Sequence, residues 1–305
     1  MIPQERLGIA VRSRAGRTVV IPLDGACPCG KSPRFGSCCA ATGQFQLRPE
    51  ATTKPPKPVR GYSHPRCYAK ALGDCDSKIS KEHYFSKGAI QAFNRGSPTW
   101  VEGPGLPAGR LPPDQVLQSK ILCIRHNSAL SRLDDAAIVL TRGIREGMVL
   151  VPRIPCLALR GYDLERWLLK VACGFRVVLG GQEWVQMLFG DLDICPPIGL
   201  RMRIPLGKSL RAPHGIQFVM YRDEQGPSGA EVSIHGVRLT LDLRGRDRTK
   251  RPGDKDAIPV YRPIGLWFDH SGRTTFLLSF HWEGRGASDD SLVFETDQVC
   301  AECAR

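Results

Sequence analysis

Apolar positions recur at helical spacing in two long stretches of this chain and alternate in several others. From His126 the run NSALSRLDDAAIVLTRGIRE puts Leu130, Leu133, Ala137 and Leu140 on one face, which predicts a helix with Asn127 in its first turn. Residues 161–178 place Leu164, Trp167, Leu168, Val171 and Phe175 in a second stripe opened by Asp163 as a cap, and a short helix is expected over Glu183 to Leu188. Strand-like runs lie at 200–205, 216–222, 230–243, 258–268, 274–282 and 291–296, separated by turn signals such as Gln225-Gly226-Pro227 and Ser271-Gly272. Residues 7–23 alternate around Ala15-Gly16 and predict a hairpin ended by Pro22 and Asp24-Gly25.

Two stretches lack such periodicity. Residues 43–65 are rich in proline and basic side chains and predict a semi-rigid linker. Residues 86–115 carry enough glycine and proline to predict a loop with no core element beyond one short turn.

Composition adds a gradient of charge. The 305 residues hold 43 Lys and Arg against 30 Asp and Glu, a formal net charge of +13. The excess is +7 over residues 1–60, +4 over 61–148 and +2 over 149–305, so attraction for phosphate is centred on the N-terminal half. No apolar run approaches membrane-spanning length, and the start, MIPQERLGIAVRSR, does not read as a secretory signal; no membrane partner is expected. Seven of the 12 cysteines fall in ligand-like clusters, which suits thiols kept reduced and predicts a cytoplasmic protein. Cys156, Cys173 and Cys195 lie in apolar settings and read as buried neutral thiols, whereas Cys300 and Cys303 form half a knuckle.

The clusters carry the chemistry. Cys67, Cys75, Cys123 and His126 are soft donors in two pairs, the set that closes one tetrahedral zinc site. Glu82-His83 falls between the pairs and Asn127 follows the second. Hydrolysis of a phosphodiester asks for a base of near-neutral pKa beside a hard cation held by oxygen ligands. This order of Cys/Cys, Glu-His and Cys-x2-His-Asn resembles the zinc-stapled HNH endonucleases over residues 67–135. The resemblance implies a ββα-metal finger in which His83 is the general base, Glu82 and Asn127 hold a catalytic Mg2+ or Mn2+, and zinc serves the scaffold. The family's middle asparagine falls on Gln118, and the first cysteine pair is wider than usual. Lys81, Lys87, Lys120 and Arg125 are candidate contacts to nucleic-acid phosphates.

Upstream, Cys27, Cys29, Cys38 and Cys39 follow Cys-x-Cys-x8-Cys-Cys and resemble the SEC-C zinc motif, a small adaptor. Two structural zinc ions per chain are therefore expected.

Together these readings predict an α+β multidomain protein: a hairpin with the SEC-C motif over 1–42, the linker over 43–65, the HNH-like domain over 66–148, and a β-rich antiparallel domain with one or two helices over 149–305. The expected activity is metal-dependent cleavage of nucleic acid, DNA before RNA, with a protein partner open to the SEC-C motif or the C-terminal domain. A zinc-stabilised binding adaptor with a degenerate finger is the alternative.

Overall fold

The computed structural model describes residues 8–12, 18–22, 50–94, 99–103, 106–111, 118–148, 156–175, 182–195, 198–203, 215–224, 226–243, 259–270, 273–282 and 291–296. In chain order the elements are β1 (Gly8–Arg12), β2 (Thr18–Pro22), a 3-10 turn at Lys70–Leu72, β3 (Ile79–His83), α1 (Lys87–Asn94), β4 (Thr99–Gly103), β5 (Leu106–Leu111) and β6 (Gln118–Cys123). There follow α2 (Ile124–Gly147), β7 (Cys156–Arg160), α3 (Gly161–Gly174), α4 (Gln182–Phe189), β8 (Gly199–Arg203), β9 (Ile216–Asp223) and β10 (Gly226–Ile234). The last are β11 (Val237–Asp242), β12 (Val260–Tyr261), β13 (Gly265–His270), β14 (Arg273–His281) and β15 (Ser291–Thr296). This is an α+β chain, as its pattern predicts.

Two compact units form, each discontinuous in sequence, unlike the consecutive domains expected at 66–148 and 149–305. One comprises Met1–Pro49, Gly143–Gly161 and Val260–Arg305; the other comprises Glu50–Arg142 and Tyr162–Pro259.

In the second unit the strands lie in the order β8-β11-β10-β9-β4-β5. All neighbours are antiparallel except β4, which runs parallel to β9. The run 230–243 is therefore a hairpin and not one strand. Ile234 pairs with Val237, and the two residues between, His235 (φ 48°) and Gly236 (φ 84°), take the positive φ that a two-residue turn matching strand twist requires. Period-2 alternation buries Leu200, Met202, Ile216, Phe218, Val232, Leu239 and Leu241 on one face. Phe85 joins that face to α3, its ring 5.4 Å from Phe218 and 5.2 Å from Trp167, both edge-on. The segment 86–115 departs from expectation, because α1, β4 and β5 form within it. Gly88 lets α1 approach α2: a Cβ there would stand 2.8 Å from Ile138 Cδ1.

Helix α3 is buried on every side and not only along its apolar stripe. Its charged residues are consequently paired, since an unpaired buried charge is costly. Asp163 accepts from Ala51 N at 3.2 Å and lies inside the helix, which begins at Gly161, so it is not the cap. Glu165 accepts from Leu200 N at 2.7 Å. Arg166 donates to the carbonyls of Ala51 (3.1 Å) and Leu188 (2.9 Å) and to Thr53 Oγ1. The expected linker is thus docked at the start of its described part, where Ala51 and Thr53 are buried, while residues 56–63 are exposed.

In the other unit β1 and β2 form the expected hairpin. A mixed sheet runs β15-β13-β14-β7, with β13 antiparallel to β14 but parallel to β15, and β14 parallel to β7. The expected antiparallel C-terminal domain is in this part corrected. Two glycines one turn apart near the end of α2 sit close to this sheet: a Cβ on Gly143 would stand 3.0 Å from Leu278 Cδ1, and one on Gly147 would overlap the Phe268 ring. Arg262, fully buried, lies over the rings of Tyr261 and Trp282 at 5.4 and 5.5 Å.

Candidate metal centre and adjoining cleft

Cys67, Cys75, Cys123 and His126 converge with their donor atoms within 4.8 Å of one another, all buried. Sequence proximity supplies half of this and strand pairing the rest. β3 and β6 are antiparallel, Ile79 opposite Cys123, and β6 leads directly into α2, which places His126 in its first turn. The first pair is held by Cys67 N bonding to His64 O (3.0 Å), Cys75 N to Tyr62 O (2.7 Å) and Tyr68 N to Ile121 O (3.0 Å). The wide spacing from Cys67 to Cys75 is taken up by the 3-10 turn Lys70–Leu72, closed by Gly73 at φ 66°.

His126 Nδ1 lies 3.1 Å from Cys123 Sγ, 3.5 Å from Cys67 Sγ and 3.7 Å from Cys75 Sγ. A tetrahedral zinc with bonds of about 2.3 Å to sulfur and 2.0–2.1 Å to nitrogen sets an S···N edge of about 3.6 Å, so the cluster has the right size. Amide groups also point at the sulfurs, Cys123 N to Cys67 Sγ at 3.4 Å and His126 N to Cys123 Sγ at 3.5 Å. Burial drives the His126 imidazole down to about 4, which keeps it the neutral donor a metal needs. Burial also raises the Cys67 and Cys75 thiols, and a dication supplies the charge that thiolates there require. This group can hold a metal such as zinc. His64, nearby in sequence, instead accepts from Arg66 N through Nδ1 at 3.1 Å.

Beside the centre lies an open cleft of about 350 Å³ lined by Lys81, Glu82, His83, Lys87, Gly88, Asn127, Ser128, Ser131 and Asp134. The three polar residues singled out for chemistry, Glu82, His83 and Asn127, all border it. His83 stands opposite Gln118 in the β3–β6 ladder, so their side chains share a face; Gln118 is exposed and does not line the cleft. The register shifts here, Lys81 of β3 facing both Lys120 and Ile121 of β6, a bulge in β6.

Glu82 does not stand open to solvent. Its Oε1 meets Lys170 Nζ at 2.8 Å, and Lys170 Nζ meets Asp134 Oδ1 at 2.8 Å. Asp134 accepts from Ser86 Oγ, which accepts from Trp167 Nε1 at 3.1 Å. Burial lifts the Glu82 carboxyl to about 7 against the pull of Lys170. For Lys170 burial opposes the charge, yet the two carboxylates hold its ammonium above the ordinary value.

Of the four basic candidates, Lys81, Lys87 and Lys120 are exposed, and the first two border the cleft. Arg125 is committed to the scaffold: it pairs with Asp74 at 2.9 Å and donates to the carbonyls of Pro56 and Pro58. Although burial works the other way, the Arg60 amide and Arg125 hold the Asp74 carboxyl below its usual range. Arg125 is therefore not available to phosphate.

Sequence reasoning missed Asp134 and Lys170. Asp134 was within reach, because it lies two turns after Asn127 on the same helix; Lys170 carries no local signal, since only the packing of α3 brings it to β3. Cys27, Cys29, Cys38, Cys39, Cys300 and Cys303 lie outside the described residues. Cys173 is buried with its thiol pushed up to about 12 by that burial, whereas Cys195 is exposed, contrary to expectation. Among the described residues no helix is long and apolar enough to cross a membrane. Comparison with family profiles, curated proteins and solved structures gives no match to this chain.

Proposed function

We propose that this chain is a metal-dependent endonuclease of HNH type, whose cleft hydrolyses phosphodiester bonds of nucleic acid, DNA before RNA. The observation that carries the reading is the convergence of His83, Glu82 and Asn127 on one open cleft beside the Cys3His cluster, with Lys81 and Lys87 at its edge. His83, half-buried on β3, takes a proton from the attacking water as its oxygen bonds to phosphorus; the bond from phosphorus to the leaving oxygen breaks and that oxygen is protonated from solvent. Asn127 and Glu82, both bordering the cleft, would be the oxygen donors for Mg2+ or Mn2+, which when bound would offset charge on the leaving group. Lys81 and Lys87 draw in the backbone. The Cys3His cluster, holding zinc, keeps β6 and the start of α2 in place and does no chemistry. A second zinc in the SEC-C-like motif at Cys27, Cys29, Cys38 and Cys39 belongs to the same reading.

One observation favours a second reading, a non-catalytic zinc-stabilised binding adaptor: Glu82 spends one oxygen on the buried Lys170. Nicking of supercoiled plasmid with Mg2+ or Mn2+ separates the two. Cleavage by the wild-type chain, lost by about 10²-fold or more in His83→Ala with zinc content unchanged, is the outcome expected of a general base. DNA and RNA left intact by both proteins, with each ion, would leave the adaptor.

A further inference from the structure

The surface contributed by residues 50–94 is mainly cationic, with Arg60 alone paired to an acid of the same segment, Asp76, at 3.1 Å among the described ion pairs. All eight of its Lys and Arg side chains are exposed, whereas its four acids, Glu50, Asp74, Asp76 and Glu82, are buried or half-buried. Chance solvation intersperses both signs on a protein surface; segregation of this kind creates a field that attracts a polyanion.

The cations lie along a connected path. Lys87 and Lys81 border the cleft. In the ladder Gln118 is opposite His83, and Lys120, two residues further on β6 at the bulge facing Lys81, is exposed. Arg66 lies against Lys120, its guanidinium donating to the Lys120 carbonyl at 3.4 Å. Lys70 is tied back to the same knuckle by Ser63 Oγ, which donates to the Lys70 carbonyl at 2.8 Å. Tyr62, beside Ser63, is 43% exposed, so its ring is accessible on this cationic surface.

We infer that the outer face of the metal knuckle is a phosphate-binding surface, in which Lys120, Arg66 and Lys70 extend the track of Lys81 and Lys87 away from the cleft and Tyr62 stacks on a base of the bound strand. The ligand is the backbone of a nucleic acid. A row of cations beside one exposed aromatic ring matches a polymer of phosphates interleaved with flat bases, which an anionic bilayer does not offer. The inference rests on the nuclease reading only for where the track ends; binding is measured without cleavage.

The test uses the full zinc-loaded chain carrying His83→Ala and a labelled DNA duplex, with affinity followed by fluorescence anisotropy across KCl concentrations. Five phosphate contacts give a slope of log K against log[KCl] of about −4.5, and Arg66→Ala/Lys70→Ala reduces it to about −2.7, at about 0.9 per contact. Lys54→Ala is the control: Lys54 is exposed but paired with Asp191 at 2.9 Å, and its loss leaves the slope unchanged. Tyr62→Ala weakens a labelled single strand by about fivefold or more with no change of slope, as loss of stacking does. A slope unaltered by the double variant while zinc content is retained overturns the inference and leaves the nuclease reading standing. A reduced slope, together with no cleavage by the wild-type chain with Mg2+ or Mn2+, supports the inference and removes the nuclease reading. Capture by vesicles of anionic phospholipid with no binding of DNA overturns it in favour of a membrane surface.

Discussion

Lys170 Nζ and Glu82 Oε1 stand 2.8 Å apart with both side chains almost wholly out of solvent. The same ammonium holds Asp134 Oδ1 at 2.8 Å, so one cation serves two carboxylates that border a single cleft. The arrangement ties the strand bearing Glu-His to α2 and α3 at once, and the residue at the centre comes from the helix most deeply buried in its unit.

Removing that cation leaves two neighbouring carboxylates without a counter-charge. Lys170→Met is expected to lower stability by about 3–5 kcal/mol, the usual cost of orphaning a buried ion pair. Urea unfolding followed by tryptophan fluorescence measures it. A loss below about 1 kcal/mol would show that the pair adds little beyond an apolar side chain.

Glu82 makes stability depend on pH. Its folded carboxyl is raised to about 7 from an ordinary 4.5, so between these values the folded chain binds more protons than the unfolded one. The contribution is fully present below about pH 4.5 and is lost as pH rises through about 7, with a slope of at most about 1.4 kcal/mol per pH unit. Glu82→Gln, which cannot ionise, should flatten that part of the profile. Equal slopes in the two proteins would assign the dependence to another group.

Metal content follows from the donor sets. Elemental analysis should return about one zinc for the Cys3His cluster, and about two if the upstream cysteines also bind, by the four-ligand rule. Cys123→Ala should lose one equivalent and unfold β3, β6 and the start of α2, because binding free energy in such sites is largely folding free energy. Retained zinc and retained helix signal by circular dichroism would rule out a structural role for the cluster.

The glycine at the end of α2 is a packing requirement. In an exposed helix Gly147→Ala would gain up to about 1 kcal/mol from propensity. Here the added methyl meets the rigid ring of Phe268, and overpacking of about 1–3 kcal/mol is expected to win. The melting temperature should therefore fall. A rise would mean that the ring moves aside at little cost.

The sequence by itself determined what local chemistry can encode. The stripe of Leu130, Leu133, Ala137 and Leu140 is fully buried on α2, as its spacing demands, and the runs at 200–205, 216–222, 274–282 and 291–296 recur as strands, while 230–243 and 258–268 each divide into two. The four donors of the metal centre were legible because their types and their pairing along the chain follow from what a tetrahedral ion accepts. The tertiary structure alone decided which charges are free to act. Arg125 and Lys81 are indistinguishable as basic residues, yet Arg125 is spent on Asp74 and two proline carbonyls while Lys81 faces the cleft. Likewise β4 and β5 arise in a stretch rich in glycine and proline because the edge of a sheet built from distant residues offers their backbones partners. Asp134 and Lys170 join Glu82 for the same reason: a buried charge takes the partner that packing brings within reach, and periodicity along the chain carries no record of it.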